Sequence, residues 1–356
     1  MKIAEIRVRT EHFPLTRPYR IAFRSVDEVD NLIVEIRTTD GLLGLGAASP
    51  EHHVTGETLH ACVAALAPDN LGWLTGRDIR TLPRLCRELA ERLPAAPAAR
   101  AALDMALHDL LAQGLGLPLV EVLGRWHDSL PTSVTIGIKP VEETLAEARE
   151  YLDLGFRALK VKLCGDEEQD FERLRRLHEA VGARAAIRVD PNQSYDLDGL
   201  LRLDRVGREL GIEFIEQPFP AQRTDWLRAL PEAVRRKVAA DESLLSAADA
   251  FALAAPPAAC GIFNIKLMKS GGLAPALRIA AIAEIAGIEL MWGCMDESRI
   301  SIAAALHAAL ACPATRYLDL DGSFDLARDV AEGGFLLEDG RLRATDRPGL
   351  GLDYLG

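Results

Sequence analysis

Five charged residues between positions 162 and 266 lie at or near the C-terminal ends of short apolar segments. They are Lys162, Asp190, Glu216, Asp241 and Lys266. Successive members are 28, 26, 25 and 25 residues apart, one unit of strand plus helix each time. In a barrel of parallel strands the C-terminal strand ends meet at one mouth, where active sites are built. The spacing therefore predicts a single pocket that contains all five charges.

Asp190, Glu216 and Asp241 are the acidic members of this set. Any one of them alone could be the N-cap of the helix that follows. Three carboxylates brought close together repel one another, however, and a bound cation would compensate for that repulsion. Oxygen ligands without histidine or cysteine favour Mg²⁺ over Zn²⁺. We therefore predict that these residues bind Mg²⁺. Carboxylates arranged for acid–base chemistry alone are the weaker alternative, because lysines supply that chemistry.

Lys160 and Lys162 alternate with apolar residues in the segment Ala158–Leu163. On a strand they would project to the same face, into a barrel lumen where two lysines need a functional reason. Lys266 belongs to the sixth predicted strand, across the lumen from the second. Two bases on opposite faces of one carbon can remove a proton from one side and return it on the other.

A carbon acid beside a carboxylate loses its proton only if the resulting enediolate is stabilised, which Mg²⁺ can do. The residues therefore predict a Mg²⁺-dependent enzyme with Lys162 and Lys266 as paired bases. The alternative is a barrel that binds Mg²⁺ and a carboxylate ligand without turnover, although binding alone needs no second lysine.

These charges belong to a series of eight short apolar runs that alternate with amphipathic helical patterns from about residue 132 onward. In order, the runs are SVTIGI, ALKVKL, AAIRVD, EFIEQP, KVAADE, FNIKLM, IELMWG and TRYLDLD. This alternation predicts an α/β fold, a TIM-like (β/α) barrel. A doubly wound sheet is the competing layout.

The first third of the chain has a different pattern. Ile3–Val8, Asn31–Thr38 and Leu42–Gly46 predict an antiparallel sheet, and helical patterning follows, most clearly over Ala98–Gln113. We predict an α+β domain over residues 1–126, the barrel over 127–323, and a tail over 324–356 that returns to the first domain. The tail carries a hairpin signal, FLLE and RLRA around Asp339–Gly340.

Composition excludes some classes of partner. The chain has 356 residues and a formal net charge of −12, with no block rich in lysine and arginine, which argues against nucleic acid. Its most apolar late stretch, Leu273–Trp292, is interrupted by charges and should not span a membrane. Six scattered cysteines without metal-binding spacing are typical of reduced core residues. We expect a cytoplasmic protein.

Together the motifs resemble the enolase superfamily, specifically its muconate lactonizing enzyme-like subgroup, and the likeness covers essentially the whole chain. It rests on Lys160-Val-Lys162, the Asp190/Glu216/Asp241 set, Lys266 in NIKLMKSGG, and the segment AALDMALHDLLAQGLGLPLVEVLG. The resemblance implies a (β/α)₇β barrel with an α+β capping domain formed by the N-terminal region and the C-terminal tail. Homo-oligomerisation is expected by the same analogy.

Within the subgroup, the segment Arg316–Gly322 resembles the dipeptide epimerases, in which two aspartates at this place hold the α-ammonium of the substrate. This implies that role for Asp319 and Asp321, which would project to the same side of a strand as a dianionic socket. An Asp-Gly turn with incidental charge is the alternative. Thr135 matches a substrate-contacting position of that family, and Lys160 is expected to contact the substrate beside Lys162.

The reaction implied is a 1,1-proton transfer at the α-carbon of the C-terminal residue of a dipeptide. Cycloisomerases, o-succinylbenzoate synthases and N-acylamino acid racemases use the same lysines and metal, so they remain alternatives. Asp296 after the seventh strand and Glu51 in the capping domain would add negative charge over the pocket, which favours dipeptides with Lys or Arg side chains. Arg24 instead matches a position that binds glutamate in Ala-Glu epimerases, so an L-Ala-D/L-Glu preference is the main alternative.

Overall fold

The structure is a computed structural model that describes residues 1–21 and 24–356, together with the side chains of all of these except residues 19–21 and 24–25. In the part of the chain so described, no helix combines the length and apolar character needed to cross a membrane.

The N-terminal sheet consists of three antiparallel strands in sequential order. They are β1 (Ile3–Ile21), β2 (Arg24–Thr38) and β3 (Leu43–Ala48). The predicted strands coincide with parts of these three, except that β3 begins at Leu43 rather than Leu42, and β1 and β2 extend far beyond the predicted ends. Charged residues and two prolines interrupt the alternation there, and the pairing shifts register between Pro14 and Tyr19. β1 and β2 thus form one long hairpin, paired from Ile3 with Thr38 to Ile21 with Arg24.

Six helices follow the sheet: α1 (His52–Thr55), α2 (Leu59–Ala65), α3 (Pro68–Leu71), α4 (Leu82–Arg92), α5 (Pro97–Leu115) and α6 (Leu119–Leu123). The helix α5 is buried over most of its length. It continues past the predicted Gln113 to Leu115, where Gly116 caps it in the left-handed conformation.

The second part of the chain forms an eight-stranded parallel sheet whose strands follow one another in sequence order. They are β5 (Val134–Ile136), β6 (Ala158–Lys162), β7 (Ala186–Asp190), β8 (Ile215–Glu216), β9 (Val238–Ala240), β10 (Ile262–Ile265), β11 (Glu289–Gly293) and β12 (Thr315–Asp319). The intervening helices are α7 (Val141–Asp153), α8 (Glu167–Val181), α9 (Leu197–Leu210), α10 (Thr224–Ala229), α11 (Glu232–Arg235), α12 (Ala247–Ala254), α13 (Leu267–Ser270), α14 (Leu273–Ala286) and α15 (Arg299–Ala311).

The two ends of this sheet meet, because Thr132 and Leu318 form a parallel bridge and the Ser133 amide donates to the Leu318 carbonyl at 2.9 Å. All eight predicted strands are therefore confirmed, and their sequential order is that of a (β/α)₇β barrel rather than a doubly wound sheet. The difference in detail is that α13 begins at Leu267, so the predicted run FNIKLM is only partly strand.

The tail adds two small antiparallel sheets. One pairs β13 (Ala331–Gly333) with β16 (Leu352–Tyr354), and the other joins β14 (Phe335–Glu338), β15 (Arg341–Ala344) and β4 (Leu130–Pro131). The predicted hairpin at Asp339–Gly340 is confirmed, with both turn residues at positive φ. Tyr354 donates its hydroxyl to Glu35 of β2 at 2.6 Å, so the tail contacts the N-terminal sheet. The division of the chain at residues 126 and 323 stays a prediction.

Two glycines of β3 set how closely the N-terminal sheet packs on α5. A Cβ atom at Gly46 would lie 1.8 Å from the Ala102 carbonyl oxygen, and one at Gly44 would lie 2.3 Å from that of Ala106. Backbone atoms of a buried helix cannot yield to such contacts. The glycines are therefore required by packing between the sheet and the helix.

We predict that Gly46→Ala destabilises the protein by about 3 kcal/mol, the upper end of the usual cost of overpacking. Thermal and urea unfolding, followed by circular dichroism, measure the loss. Gly72→Ala is the matched control, because Gly72 has helical backbone angles and open space around its Cβ direction. Equal stability of the two variants would contradict the packing argument.

Candidate active site

A cavity of about 580 Å³ opens at the C-terminal end of the barrel, beneath the N-terminal hairpin and α1. Of the residues predicted for the site, nine line it: Glu51, Thr135, Lys160, Lys162, Asp241, Lys266, Asp296, Asp319 and Asp321. Asp190 and Glu216 lie just below its surface, in contact with Lys160. The Arg24 side chain falls outside the description, so its predicted substrate contact stays a prediction. The barrel thus gathers the five charges as their spacing predicted.

The three carboxylates come from consecutive strands. Asp190 and Glu216 end β7 and β8, and Asp241 directly follows β9. Each is at most 2% exposed. Because parallel strands end at the same height, residues at successive strand ends point into one small volume of the lumen. Sequence spacing and barrel geometry together account for their convergence.

Buried carboxylates this close together do not ionise independently. Burial, and then Asp190 and Asp241, raise the pKa of Glu216 to about 8, although Lys160 acts against the shift. Burial would also raise the pKa of Asp190, but Lys162 and Lys160 outweigh it and hold that pKa below its usual value. Lys266 and Lys269 do the same for the pKa of Asp241. The site is thus a cluster of negative charge that depends on nearby cations.

The donor atoms fit Mg²⁺. All are carboxylate oxygens, the ligand type that this ion prefers. Oε2 of Glu216 is buried and accepts no well-directed hydrogen bond from the described residues, although Lys160 Nζ lies 2.8 Å away. Oε2 of Glu242, the residue after Asp241, is likewise buried without a described hydrogen-bond partner. Unsatisfied carboxylate oxygens beside three clustered acids are what a divalent cation would relieve.

The two predicted bases approach the lumen from opposite sides. Lys162 ends β6, and Lys266 directly follows β10, four strands away in a ring of eight. The Nζ atom of Lys162 lies 2.6 Å from Asp190 Oδ2, and that of Lys266 lies 2.8 Å from Asp241 Oδ2. Burial would lower the pKa of Lys266, but Asp241 and Glu216 raise it overall. A divalent cation held by the same carboxylates would weaken that effect and favour the neutral amine.

Lys160 lies deeper than Lys162 and is 3% exposed. Its Nζ atom contacts Glu216 Oε2 and Asp319 Oδ2, each at 2.8 Å, and Asp190 Oδ2 at 3.3 Å. The predicted projection of both lysines into the lumen is confirmed. Lys160 therefore connects the three-carboxylate cluster to the aspartates of the eighth strand.

Asp319 and Asp321 both face the cavity but have different partners. Asp319 accepts hydrogen bonds from Lys160 and from Ser133 Oγ at 2.6 Å. Oδ2 of Asp321 accepts the backbone N–H of Thr135 at 2.7 Å. Burial and the neighbouring Asp319 raise the pKa of Asp321 to about 7. A bound ammonium would favour the ionised form of Asp321, so the geometry suits the predicted cation socket.

Sequence reasoning missed two charged residues beside Asp241. Lys269 is buried, and its Nζ atom donates to the carbonyls of Asp241 at 2.6 Å and Asn264 at 3.0 Å and to the Asp241 carboxylate. Glu242 lines the cavity, and burial and Asp241 raise its pKa to about 7. Glu242 directly follows Asp241 and Lys269 lies in α13, so neither falls on the regular spacing that identified the five central charges.

The residues predicted to select the substrate lie at the rim. The carbonyl oxygen of Asp296 accepts hydrogen bonds from Ser49 Oγ at 3.0 Å and Asn31 Nδ2 at 3.3 Å, which join the loop after β11 to the N-terminal sheet. The Glu51 side chain accepts the His53 N–H and caps α1. Both side chains line the cavity. The rim thus combines residues from the barrel and from the N-terminal region.

Comparison with known proteins agrees with this geometry. Residues 3–124 match the family described as mandelate racemase / muconate lactonizing enzyme, N-terminal domain, and residues 143–355 match the enolase C-terminal domain-like family. The L-Lys-D/L-Arg epimerase of Methylococcus capsulatus is 87% identical over 354 residues, 99% of both chains. The L-Lys-D/L-Arg epimerase of Desulforapulum autotrophicum is 53% identical over 352 residues, again 99% of both chains.

The fold agrees as closely with a solved structure. The crystal structure of a dipeptide epimerase from Methylococcus capsulatus, complexed with Mg and the dipeptide L-Arg-D-Lys, superposes with a TM-score of 0.99. That protein is 87% identical, and the match covers 99% of this chain and 100% of the other.

We predict that Glu216→Gln lowers Mg²⁺ affinity about tenfold or more, because even residues that only support a metal ligand change affinity by 10–100-fold. Isothermal titration with Mg²⁺ measures this without any substrate. Glu209→Gln removes the same charge from an exposed position of α9 and should leave the affinity unchanged. Wild-type affinity in Glu216→Gln would exclude Glu216 as a ligand.

Proposed function

The chain belongs to the enolase superfamily, in the mandelate racemase/muconate lactonizing enzyme family, and from that premise we propose the reaction it catalyses. It is a Mg²⁺-dependent dipeptide epimerase that inverts the α-carbon of the C-terminal residue by a 1,1-proton transfer. The observation that carries this is the pair of lysines, Lys162 and Lys266, on opposite sides of a lumen that also holds three buried carboxylates. The function of the 87% identical relative agrees with it.

The two lysines perform the inversion. One neutral Nζ atom removes the α-proton from its side of the substrate, and the ammonium of the other lysine delivers a proton to the opposite face. The same pair works in reverse, so each lysine is the base for one epimer. When bound by Asp190, Glu216 and Asp241, Mg²⁺ supplies positive charge that stabilises the enediolate between the two steps. Lys160 adds a positive charge on the side of the lumen where Glu216 lies.

Asp321 and Asp319 account for a dipeptide as substrate. We place the α-ammonium of the N-terminal residue against Asp321, whose Oδ2 atom is oriented by the Thr135 amide. A cation at this buried carboxylate replaces a costly uncompensated charge with a charge-assisted hydrogen bond. Substrates of N-acylamino acid racemases, cycloisomerases and o-succinylbenzoate synthases lack an ammonium at this distance. The socket therefore favours dipeptides over those substrates.

A preference for Lys and Arg side chains follows from the charge of the cavity rim. Asp296 and Glu51 line it, as do Glu28 and Asp30 of the hairpin. A glutamate side chain would need a cation there. Arg17 also lines the cavity, but its guanidinium already bonds to Glu147 at 3.1 Å and to Glu150 at 2.6 Å. The described rim therefore suits cationic side chains better than an L-Ala-D/L-Glu substrate.

Two expectations about the protein in the cell remain predictions. Assembly into a homo-oligomer rests on family resemblance, and a cytoplasmic location rests on the composition of the sequence. Size-exclusion chromatography with light scattering measures the first directly.

We predict that Lys162→Ala and Lys266→Ala each lose epimerisation by a factor of about 10²–10⁴, the usual contribution of a general acid or base. In D₂O each variant should still exchange the α-proton of one diastereomer, the one whose proton faces the remaining lysine. Proton NMR of two stereopure dipeptides measures both effects. Lys2→Ala, at an exposed position, is the control. Wild-type epimerisation rates in both variants would rule out the two-lysine mechanism.

We predict that Asp296→Ala lowers kcat/KM for dipeptides with Lys or Arg side chains about tenfold, as expected when a charge-assisted hydrogen bond is lost. Turnover of uncharged dipeptides should change little. A dipeptide library screened by mass spectrometry in D₂O gives the ranking, with Asp198→Ala on the exposed face of α9 as the control. The cationic preference is wrong if Ala-Glu exceeds every cationic dipeptide in the wild type, or if Asp296→Ala leaves the ranking unchanged.

A further inference from the structure

A row of buried polar groups crosses the lumen beneath the cavity and reaches two residues that line it, Asp319 and Lys160. It runs from Arg188 on β7 through Ser133, which precedes β5, to Asp319 and Lys160. Arg188 and Ser133 are 3% and 0% exposed. Burying a polar group costs free energy unless the group is hydrogen-bonded, so the partners of each side chain in this row matter.

The direction of the hydrogen bonds in this row is fixed by chemistry. Arg188 Nη1 lies 3.2 Å from Ser133 Oγ, and a guanidinium can only donate, so the hydroxyl oxygen accepts. The hydroxyl hydrogen then has two acceptors in reach, Asp319 Oδ1 at 2.6 Å and the Leu318 carbonyl at 3.2 Å. The shorter contact is to a charged group, and Ser133 therefore donates to Asp319.

This donation leaves Asp319 with both oxygens engaged. Oδ1 accepts from Ser133, and Oδ2 accepts from Lys160 Nζ at 2.8 Å. The carboxylate plane is thereby fixed. Lys160 also lies within reach of Glu216 and Asp190, so its ammonium has three competing partners. A fixed Asp319 determines which position the ammonium takes among them.

Arg188 is itself held rigidly. Its Nε atom donates to Glu213 at 2.8 Å, and its Nη1 atom donates to the Leu318 carbonyl at 2.9 Å. The guanidinium carbon lies 5.4 Å and 5.0 Å from the ring centres of Phe214 and Tyr317. These contacts keep the guanidinium directed at Ser133.

We propose that Ser133 is a positioning residue for the epimerisation, which orients Asp319 and through it Lys160, with Arg188 fixing the direction of the Ser133 hydroxyl. The proposal rests on the proposed function. The simpler role, closure of the barrel between β12 and β5, does not require the hydroxyl, because the Ser133 backbone N–H makes that bond to Leu318. Any residue but proline at position 133 would keep it.

The test compares Ser133→Ala with Ser133→Thr in steady-state epimerisation of a Lys- or Arg-containing dipeptide. Lys160 acts on charge that develops during the reaction, so loss of its orientation should lower kcat about tenfold and change KM less than twofold. Ser133→Thr keeps the hydroxyl and should recover most of kcat. Thr144→Ala removes another fully buried hydroxyl, on α7, and should leave kcat unchanged. Should Ser133→Ala fold poorly, Ser133→Cys replaces the hydroxyl by a weak donor of similar size and serves instead.

A double-mutant cycle with Arg188→Met separates positioning from a general loss of structure. Because Arg188 acts through Ser133, Arg188→Met should lower kcat when it is made in the wild-type protein. The same substitution should cause little further loss of kcat in the Ser133→Ala protein. Three results would each overturn the proposal. They are a wild-type kcat in Ser133→Ala, equal losses of kcat in the Ala and Thr variants, and losses of kcat that multiply in the double variant. A wild type that epimerises no dipeptide would instead refute the proposed function itself.

Discussion

Mutual repulsion of buried carboxylates is the constraint on which the rest of this structure depends. Asp190, Glu216 and Asp241 are buried in the lumen, where solvent screens their charges poorly. Ion pairs with Lys160, Lys162 and Lys266 offset part of that cost. The same lysines are the groups that the chemistry requires. The carboxylate cluster proposed to bind Mg²⁺ therefore also determines where the two proposed bases are held.

The N-terminal region completes the site from above. Its hairpin is joined to the barrel side at two places: Thr16 donates its amide to the Asp325 carbonyl at 2.7 Å, and Arg17 bonds to Glu147 and Glu150 of α7. The loop after β11 is joined to the same region through Asp296. These contacts enclose the cavity, which strengthens each electrostatic interaction inside it. In the proposed function, the strand ends supply the reaction chemistry and the ammonium socket, and the rim selects the side chain of the substrate.

The strand ends could be predicted from sequence because one barrel unit repeats about every 25 residues. That period identified the five central charges, and short apolar runs alternating with helical patterns identified the eight strands. The full length of the hairpin could not be predicted, since Pro14 and the charges around it break the alternation on which strand prediction depends. Ser133 and Arg188 escaped notice for a different reason. Neither lies at a strand end, and their significance comes from contacts between strands far apart in sequence, such as that of Arg188 with Ser133.

Isotope labelling of a single stereopure dipeptide tests the central claim, that two lysines on opposite faces share one proton transfer. The substrate is incubated with the Mg²⁺-loaded wild-type enzyme in D₂O, and both diastereomers are analysed by mass spectrometry at low conversion. The account predicts one deuterium in essentially every product molecule, because the lysine that delivers the proton carries only hydrogens from solvent and is not the lysine that removed the proton of the substrate. A substantial share of early product that retains the protium of the substrate would show a single base acting on both faces and would contradict the account.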